Sequence, residues 1–262
     1  VVRQEKDSIR RYIHFSTGNY NEITAKIYTD IGLFTCKEKF GEDASSLFNV
    51  LTGYSRPPEY NKIIAAPNGM RETFCKMIKD EIENKKENKK SGITIKINSL
   101  VDPVLIKSLY DASNAGVEIT LIVRGVCCLI PGIKDLSENI KVISIVGQFL
   151  EHSRIFKFEC GGNPKIFMGS ADWMPRNLDR RIELIFPIED DEIKSRAIEI
   201  LNVCLKDNTN ARIQLPDMTY VDIDKKNKAK FNSQIEFIQM AKKALQDKTE
   251  SQHQQIFQTS GL

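Results

Sequence analysis

Residues 93–123, ITIKINSLVDPVLIKSLYDASNAGVEITLIV, decide how the fold is read. ITIKI at 93–97 and VEITLIV at 117–123 are short apolar, β-branched runs of strand length, the second long enough and apolar enough to be buried on both faces. Between them, Asp102-Pro103 predicts a helix start, with the carboxylate as N-cap and proline at the first helical position, and Gly116 predicts its end. Upstream, KIIAA at 62–66 reads as another strand, followed by a helix from about Met70 that fades into the charged run IENKKENKKSG at 82–92, a solvated helix end or surface loop. Residues 62–123 thus alternate strand, helix, strand, helix, strand. That order predicts an α/β fold in which helices pack on the faces of a parallel or mixed β-sheet.

Working outward, residues 141–145, 154–158, 165–168 and 181–186 read as further strands, and 191–204 and 225–245 as amphipathic helices. On the amino-terminal side, 10–15 (RRYIHF) and 30–36 read as extended, and 21–28 and 42–51 as helical. Ser55-Arg56-Pro57-Pro58 breaks the pattern, because two prolines fix the backbone and remove donors. The expected organisation is a smaller unit over 1–58, a larger one over 59–246, and a Gln-rich disordered tail over 247–262. The opening run VVRQEKDSIRR, which starts on Val1, reads as the interior of a longer polypeptide, with the first strand of a hairpin lying upstream.

Composition narrows the function classes. Among 262 residues, 41% are hydrophobic and 28% charged, and 38 Lys+Arg against 35 Asp+Glu leave a formal charge of +3, too little for a nucleic-acid coat or a polybasic membrane anchor. No run approaches the roughly 20 apolar residues of a spanning helix, which predicts a soluble, non-secreted chain. The six cysteines (Cys36, Cys75, Cys127, Cys128, Cys160, Cys204) form no C-x-x-C pair and are expected to be reduced, small buried hydrophobes; with three histidines, a structural zinc cluster is not expected.

Several residues could carry chemistry. Arg124 follows the strand VEITLIV directly, where open α/β sheets gather ligands, and Gly125 beside it would let an anion approach the backbone; a surface ion pair is the alternative. His152 and Arg154, in EHSR, share one face of an extended segment, so an imidazole and a guanidinium can meet one phosphoryl group. After KIFM comes Gly169-Ser170-Ala171-Asp172-Trp173, an anion-accepting turn, and then Arg176, Arg180 and Arg181, whose planar donors suit phosphate oxygens. Asp172 or Glu183 could orient the imidazole. A charged loop with internal ion pairs is the alternative for this segment. His14-Phe15-Ser16-Thr17-Gly18-Asn19 follows its strand much as GSADW follows KIFM, a weak internal repeat, with His14 itself read as structural. Tyr28 reads as a core residue.

The blocks YIHFSTGNYNEITAKIYTD (12–30), SLVDPVLIKSLYDASNAGVEITLIVRGVC (99–127), SENIKVISIVGQFLEHSRIFKFE (137–159) and GSADWMPRNLDRRIELIFP (169–187), long and in order, closely resemble the C-terminal catalytic region of type 1 polyphosphate kinases. The resemblance implies two phospholipase D-like domains, of which the first is represented here only in part. It also implies reversible transfer of the ATP γ-phosphate to polyphosphate through a phosphohistidine, with Mg²⁺. It maps nucleotide contacts onto Tyr28, Arg124 and His152; taken with the reading of the residues above, His152 and Arg154 are the expected catalytic residues, and Ser170, Asp172, Arg176, Arg180 and Arg181 the expected phosphate-binding ones. The family's nucleophilic histidine, in an H-x-K block, and its Mg²⁺-contacting arginines would precede Val1, so this stretch alone is expected to be inactive and to hold no metal. ATP or ADP and inorganic polyphosphate are the implied partners, with no nucleic acid, in a homo-oligomeric full-length protein that is cytoplasmic or peripherally membrane-associated. A phosphodiester hydrolase and a non-catalytic phosphoanion-binding module are the alternatives.

Overall fold

The computed structural model describes residues 1–262 except 54–55, 57–58, 224–228 and 260–262, and describes no side chains over 248–259. The parallel centre of the sheet is the stretch on which the sequence reading turned: β7 (Ile93–Ile97), β8 (Ile119–Val123) and β9 (Ile140–Ile145) run side by side in parallel, with α3 (Pro103–Asn114) linking the first two. Asp102 caps α3, its carboxylate accepting the Leu105 N–H at 3.0 Å. The rest of the large sheet is antiparallel. Beyond β7 lie β11 (Arg154–Phe158), β12 (Lys165–Gly169), β13 (Glu183–Ile188) and β6 (Ile64–Ala66). Beyond β9 lie β14 (Ala211–Gln214) and β15 (Tyr220–Asp222).

The period of two along each strand sorts side chains onto two cores. Ile93, Ile95 and Ile97 of β7 and Phe156 and Phe158 of β11 meet α2 (Met70–Lys86) and α3 through Phe74, Ile78, Leu105 and Leu109. On the opposite face Ile122, Ile143 and Ile155 pack with Leu201 and Cys204 of α5 (Asp191–Lys206) and with Phe15, Phe40 and Leu47 from the amino-terminal unit. That unit comprises the β1 (Val2–Gln4) and β2 (Ile9–Arg11) hairpin, β3 (Ile13–Ser16) paired with β5 (Gly32–Thr35), and α1 (Glu38–Leu51). Phe15 stacks on Phe186 at 4.7 Å between ring centroids, so the two units share a core. Asp43 of α1, 1% exposed, accepts the backbone N–H groups of Asn61, Lys62 and Ile63 at 2.8, 2.7 and 3.0 Å and so fixes where the chain enters β6.

Four expectations change. The hairpin strand expected upstream of the chain is Val2–Gln4 itself. Residues 21–28 do not form a helix: Asn21 turns the chain by accepting the N–H groups of Ile23 and Thr24, one 3₁₀ turn follows at Thr24–Lys26, and Tyr28–Thr29 form β4, paired in parallel with β10 (Leu150–Glu151). Ile23 and Ile27 remain exposed, so a helix there would have no core to face. The final helix, α6 (Ser233–Thr259), starts eight residues later than the expected start at Lys225. Cys36 and Cys128 are exposed, while burial pushes the Cys127 and Cys204 thiols up to about 11 and about 12. The expected boundary at Ser55, Pro57 and Pro58 and the tail after Asp247 fall outside the residues described in full.

Burial alone would raise the Asp207 carboxyl, but the N–H groups of Asn210, Ser233 and Thr209 and the Ser233 hydroxyl hold it below the usual aspartate range. A depressed carboxyl stabilises the fold above its unfolded value, about 3.9, and loses that contribution as pH falls through the folded value. Urea melts at stepped pH should therefore show stability falling below about pH 4, and Asp207→Asn should remove part of that slope. Asp43→Ala should lower unfolding free energy at pH 7 by about 2 kcal/mol or more, because the buried Ile63 N–H and the part-buried N–H groups of Asn61 and Lys62 lose their acceptor; a loss under about 1 kcal/mol would contradict the latch.

Candidate active site

The change from parallel to antiparallel pairing at β7 determines which chain ends meet. Because β11 runs against β7, the entry to β11 lies beside the exit of β7, and the exit of β12 lies beside both; Arg154 pairs with Gly169, and Ile155 with Lys96. One edge of the sheet therefore collects Asn98 after β7, Arg124 after β8, His152 before β11 and Asp172 after β12. The β4–β10 ladder brings Tyr28 and Asp30 of the amino-terminal unit to the same edge.

Arg154 is at the centre. Its Nη2 and Nε donate to the Asp172 carboxylate at 3.0 and 3.4 Å, and its Nη1 donates to the Thr17 carbonyl at 2.8 Å. Nη1 also lies 3.3 and 3.2 Å from Nδ1 and Nε2 of His152. A nitrogen equidistant from both would collide with the ring's Cε1 if it lay in plane, so the guanidinium lies over the imidazole face. Asp172 accepts the N–H groups of Asn98 and Ser99 at 2.7 and 3.3 Å, and the Asn98 side chain donates to the His152 carbonyl at 3.2 Å.

The carboxylate on the imidazole is Asp30. His152 Nδ1 lies 2.9 Å from each of its oxygens, Thr17 Oγ1 donates to Oδ1 at 2.8 Å, and the Tyr28 ring rests on the imidazole at 4.5 Å. Gly18 makes room: a Cβ there would sit 2.0 Å from Asp30 Oδ2. With Nδ1–H committed to Asp30, Nε2 is left as the nitrogen able to engage a ligand.

These placements correct several expectations. Neither Asp172 nor Glu183 reaches the imidazole. Asp172 serves Arg154, while Glu183 accepts from Ser170 and Asn177. Ser170, whose hydroxyl also accepts the Leu184 N–H, and Asp172 spend their polar atoms inside the protein and not on an open anion site. Gly125 is glycine because a Cβ would lie 2.8 Å from the Asn98 carbonyl, a close approach of backbone to backbone and not of an anion. Tyr28 is half-buried against His152, not in the core. His14 is exposed, with its ring against Phe34. Asp30 and Asn98 carry no local sequence signal for this site; Asp30 lies 122 residues from His152 in sequence, and no local pattern pairs them.

The cations left facing outward are Arg124, half-buried with one 3.4 Å contact to Asn98, and the exposed Arg176, Arg180 and Arg181 around α4 (Pro175–Asp179). Arg124 lines a recess of about 280 Å³ with Ile27, Phe149 and Leu150. Arg71 anchors α4 by binding Asp102 and Asp179 at once, at 2.9 and 2.6 Å; hydrogen bonds to Asp179 and then Asp102 raise its pKa further, so the clamp is charged at any working pH.

Two family descriptions match the chain: "Polyphosphate kinase C-terminal domain 1" over residues 1–57 and "Polyphosphate kinase C-terminal domain 2" over residues 63–234. A polyphosphate kinase of Synechocystis sp. is 53% identical over 221 residues, 84% of this chain and 30% of that protein. One from Lactiplantibacillus plantarum is 48% identical over 245 residues, 94% of this chain and 34% of that protein. The chain thus spans about a third of the length of these curated relatives. The crystal structure of polyphosphate kinase from Porphyromonas gingivalis superposes with a TM-score of 0.87 at 37% identity, covering 92% of this chain and 37% of that one. With both C-terminal domain descriptions matched in order and the fold shared, this chain belongs to the polyphosphate kinase family.

Proposed function

We propose that the chain is the C-terminal catalytic part of a polyphosphate kinase, which transfers the γ-phosphate of ATP reversibly to the end of a polyphosphate chain. The observation that carries this reading is the imidazole of His152, fixed by Asp30 from one unit and Arg154 from the other, at a sheet edge whose outward-facing cations are Arg124, Arg176, Arg180 and Arg181. Phosphoryl transfer asks chiefly for positioning and for fixed positive charge around the transferred group, and this edge offers both.

In the forward direction, a histidine outside this chain attacks the γ-phosphorus, the bond to the β–γ bridging oxygen breaks, and ADP leaves. The terminal oxygen of polyphosphate then takes the phosphoryl group from that histidine. In the forward direction His152 donates to the bridging oxygen from Nε2–H as the imidazolium, and the Nδ1–H tautomer left behind takes the proton back at Nε2 in reverse. Tyr28 and Arg124 flank the nucleotide, and Arg176, Arg180 and Arg181 meet the phosphate chain. Arg154, 7% exposed, acts by holding His152 and not by touching phosphate.

Mg²⁺ is implied by the family, but the donor set around His152 does not fit a resident ion. Asp30 is committed to His152 and Thr17, and Asp172 to Arg154 and two backbone N–H groups. The ion is read as arriving with the nucleotide. The units 1–58 and 59–246, the tail beyond, a cytoplasmic location and a homo-oligomeric full-length protein belong to the same proposal; among the described residues no helix is long and apolar enough to cross a membrane.

In the full-length protein, His152→Ala should cut turnover by roughly 10²-fold or more, and near-normal turnover would remove it from the reaction. Calorimetric titration of this chain with a non-hydrolysable Mg–ATP analogue and with polyphosphate should give binding that a His152→Ala, Arg124→Ala double variant loses. Cleavage of a phosphodiester by the full-length protein without ATP would favour a hydrolase instead. Asp30→Ala should lower kcat on the order of 10²-fold by freeing the ring. In ¹⁵N spectra the same variant should replace a single Nδ1–H tautomer of His152 with a mixture.

A further inference from the structure

His152 directly follows a two-residue strand, Leu150–Glu151, that is entered from a short loop over 146–149, and such a segment is poorly placed by its own backbone. The loop from Val146 onward is exposed, and it has no neighbouring strand until Leu150 donates to the Ile27 carbonyl at 2.8 Å. At Phe149 a side chain stands in for the missing strand. Gln234, in the first turn of α6 and 4% exposed, accepts the Phe149 N–H at 3.0 Å and donates to the Phe149 carbonyl at 2.8 Å. Its second amide hydrogen goes to Glu151 Oε1 at 2.8 Å. Gly147 admits the carboxamide, since a Cβ there would lie 2.5 Å from Gln234 Oε1.

The network continues under the histidine. Glu151 Oε2 pairs with Lys96 Nζ at 3.1 Å, and Lys96 donates onward to Ser153 Oγ and the Ser153 carbonyl at 2.9 and 3.2 Å. Lys96, Glu151 and Ser153 are all nearly fully buried, although Lys96 sits in a strand otherwise built of Ile and Thr. The residues on both sides of His152 are thus tied to one ammonium, and that ammonium is tied to α6 through Glu151 and Gln234.

We infer that Gln234, with Glu151 and Lys96, is a positioning relay that makes the seating of α6 a determinant of where His152 and the Arg124 recess stand. The relay rests on the reading of His152 as a reacting group, but its geometry does not need that reading. Only glutamine meets the demand at 234: two donors and one acceptor are used, so glutamate would set oxygens against the Phe149 carbonyl and Glu151, and alanine would leave all three partners open.

Gln234→Ala and Gln234→Glu in this chain should keep the circular dichroism of the wild type. They should also turn the single His152 Nδ1–H tautomer into a mixture and weaken binding of the Mg–ATP analogue by roughly 10-fold. Ser233→Ala, one residue earlier, should lower stability without moving either readout, because its backbone N–H still binds Asp207 and keeps the start of α6 in place while the Gln234 contacts are untouched. If the glutamine variants unfold, Glu151→Gln, which keeps the shape and removes the charge from Lys96, is read in the same way. In the full-length protein the effect should fall on kcat as well as KM, as expected of a displaced reacting group. A folded Gln234→Ala with the wild-type His152 tautomer would overturn the relay. Absence of analogue binding by the wild type would instead count against the proposed function, leaving the tautomer comparison to decide the relay alone.

Discussion

Everything at the sheet edge depends on one buried cation. The guanidinium of Arg154 is 7% exposed, and a charge so placed costs several kcal/mol unless it is paired and hydrogen-bonded. Its partners come from both units: Asp172 from the exit of β12 and the Thr17 carbonyl from the turn after β3. Removing Asp172 would strand the charge, and losing the Thr17 carbonyl would leave one buried donor unpaired, so the amino-terminal unit is bound to the large sheet by this hydrogen bond as well as through Phe15 and Phe186. The imidazole of His152 lies between this cation and the carboxylate of Asp30, and its orientation follows from theirs.

The weak repeat read between the Thr17-Gly18 turn and the Gly169–Trp173 turn finds its physical meaning here. The two turns grip the same guanidinium from opposite sides, one with a carbonyl and the other with a carboxylate. Small residues serve closeness in both. Gly18 leaves room for Asp30, and a Cβ at Gly169 would lie 2.0 Å from the Leu184 carbonyl. Neither turn is an open anion nest, because the backbone approaches protein groups and not a vacant hollow.

Local pattern was enough for the elements whose neighbours are near in sequence. The β-branched runs 93–97 and 117–123, the Asp102-Pro103 start and the helix from Met70 all match, because period and cap are local properties. EHSR also gave the imidazole and guanidinium together, two residues apart. Pairings set by tertiary closure were out of reach. The two-residue ladder joining Tyr28 to Leu150 overrides a helical reading of residues 21–28, and Asp30 becomes the partner of His152 only through that ladder. Nothing in the run 93–97 itself tells whether Lys96 is buried; a second packed layer buries it against Glu151.

The placement of charge bears on what the edge could receive. Each acid that reaches it is already engaged: Asp30 by an imidazole and a hydroxyl, Asp172 by a guanidinium and two amides, Glu151 by an ammonium and a carboxamide. The cations divide differently. Arg154 and Lys96 are spent inside, but Arg124 keeps one long contact, and Arg176, Arg180 and Arg181 stay exposed on and just after a short helix that Arg71 pins in place. A net charge of only +3 over the whole chain therefore hides a local excess of arginine, which Glu183, 4.0 Å from Arg181, and Asp179, beside Arg180, offset only in part. An edge arranged in this way favours a ligand with several negative charges spread along its length, and planar guanidinium donors suit phosphate oxygens better than single carboxylates arrayed at random.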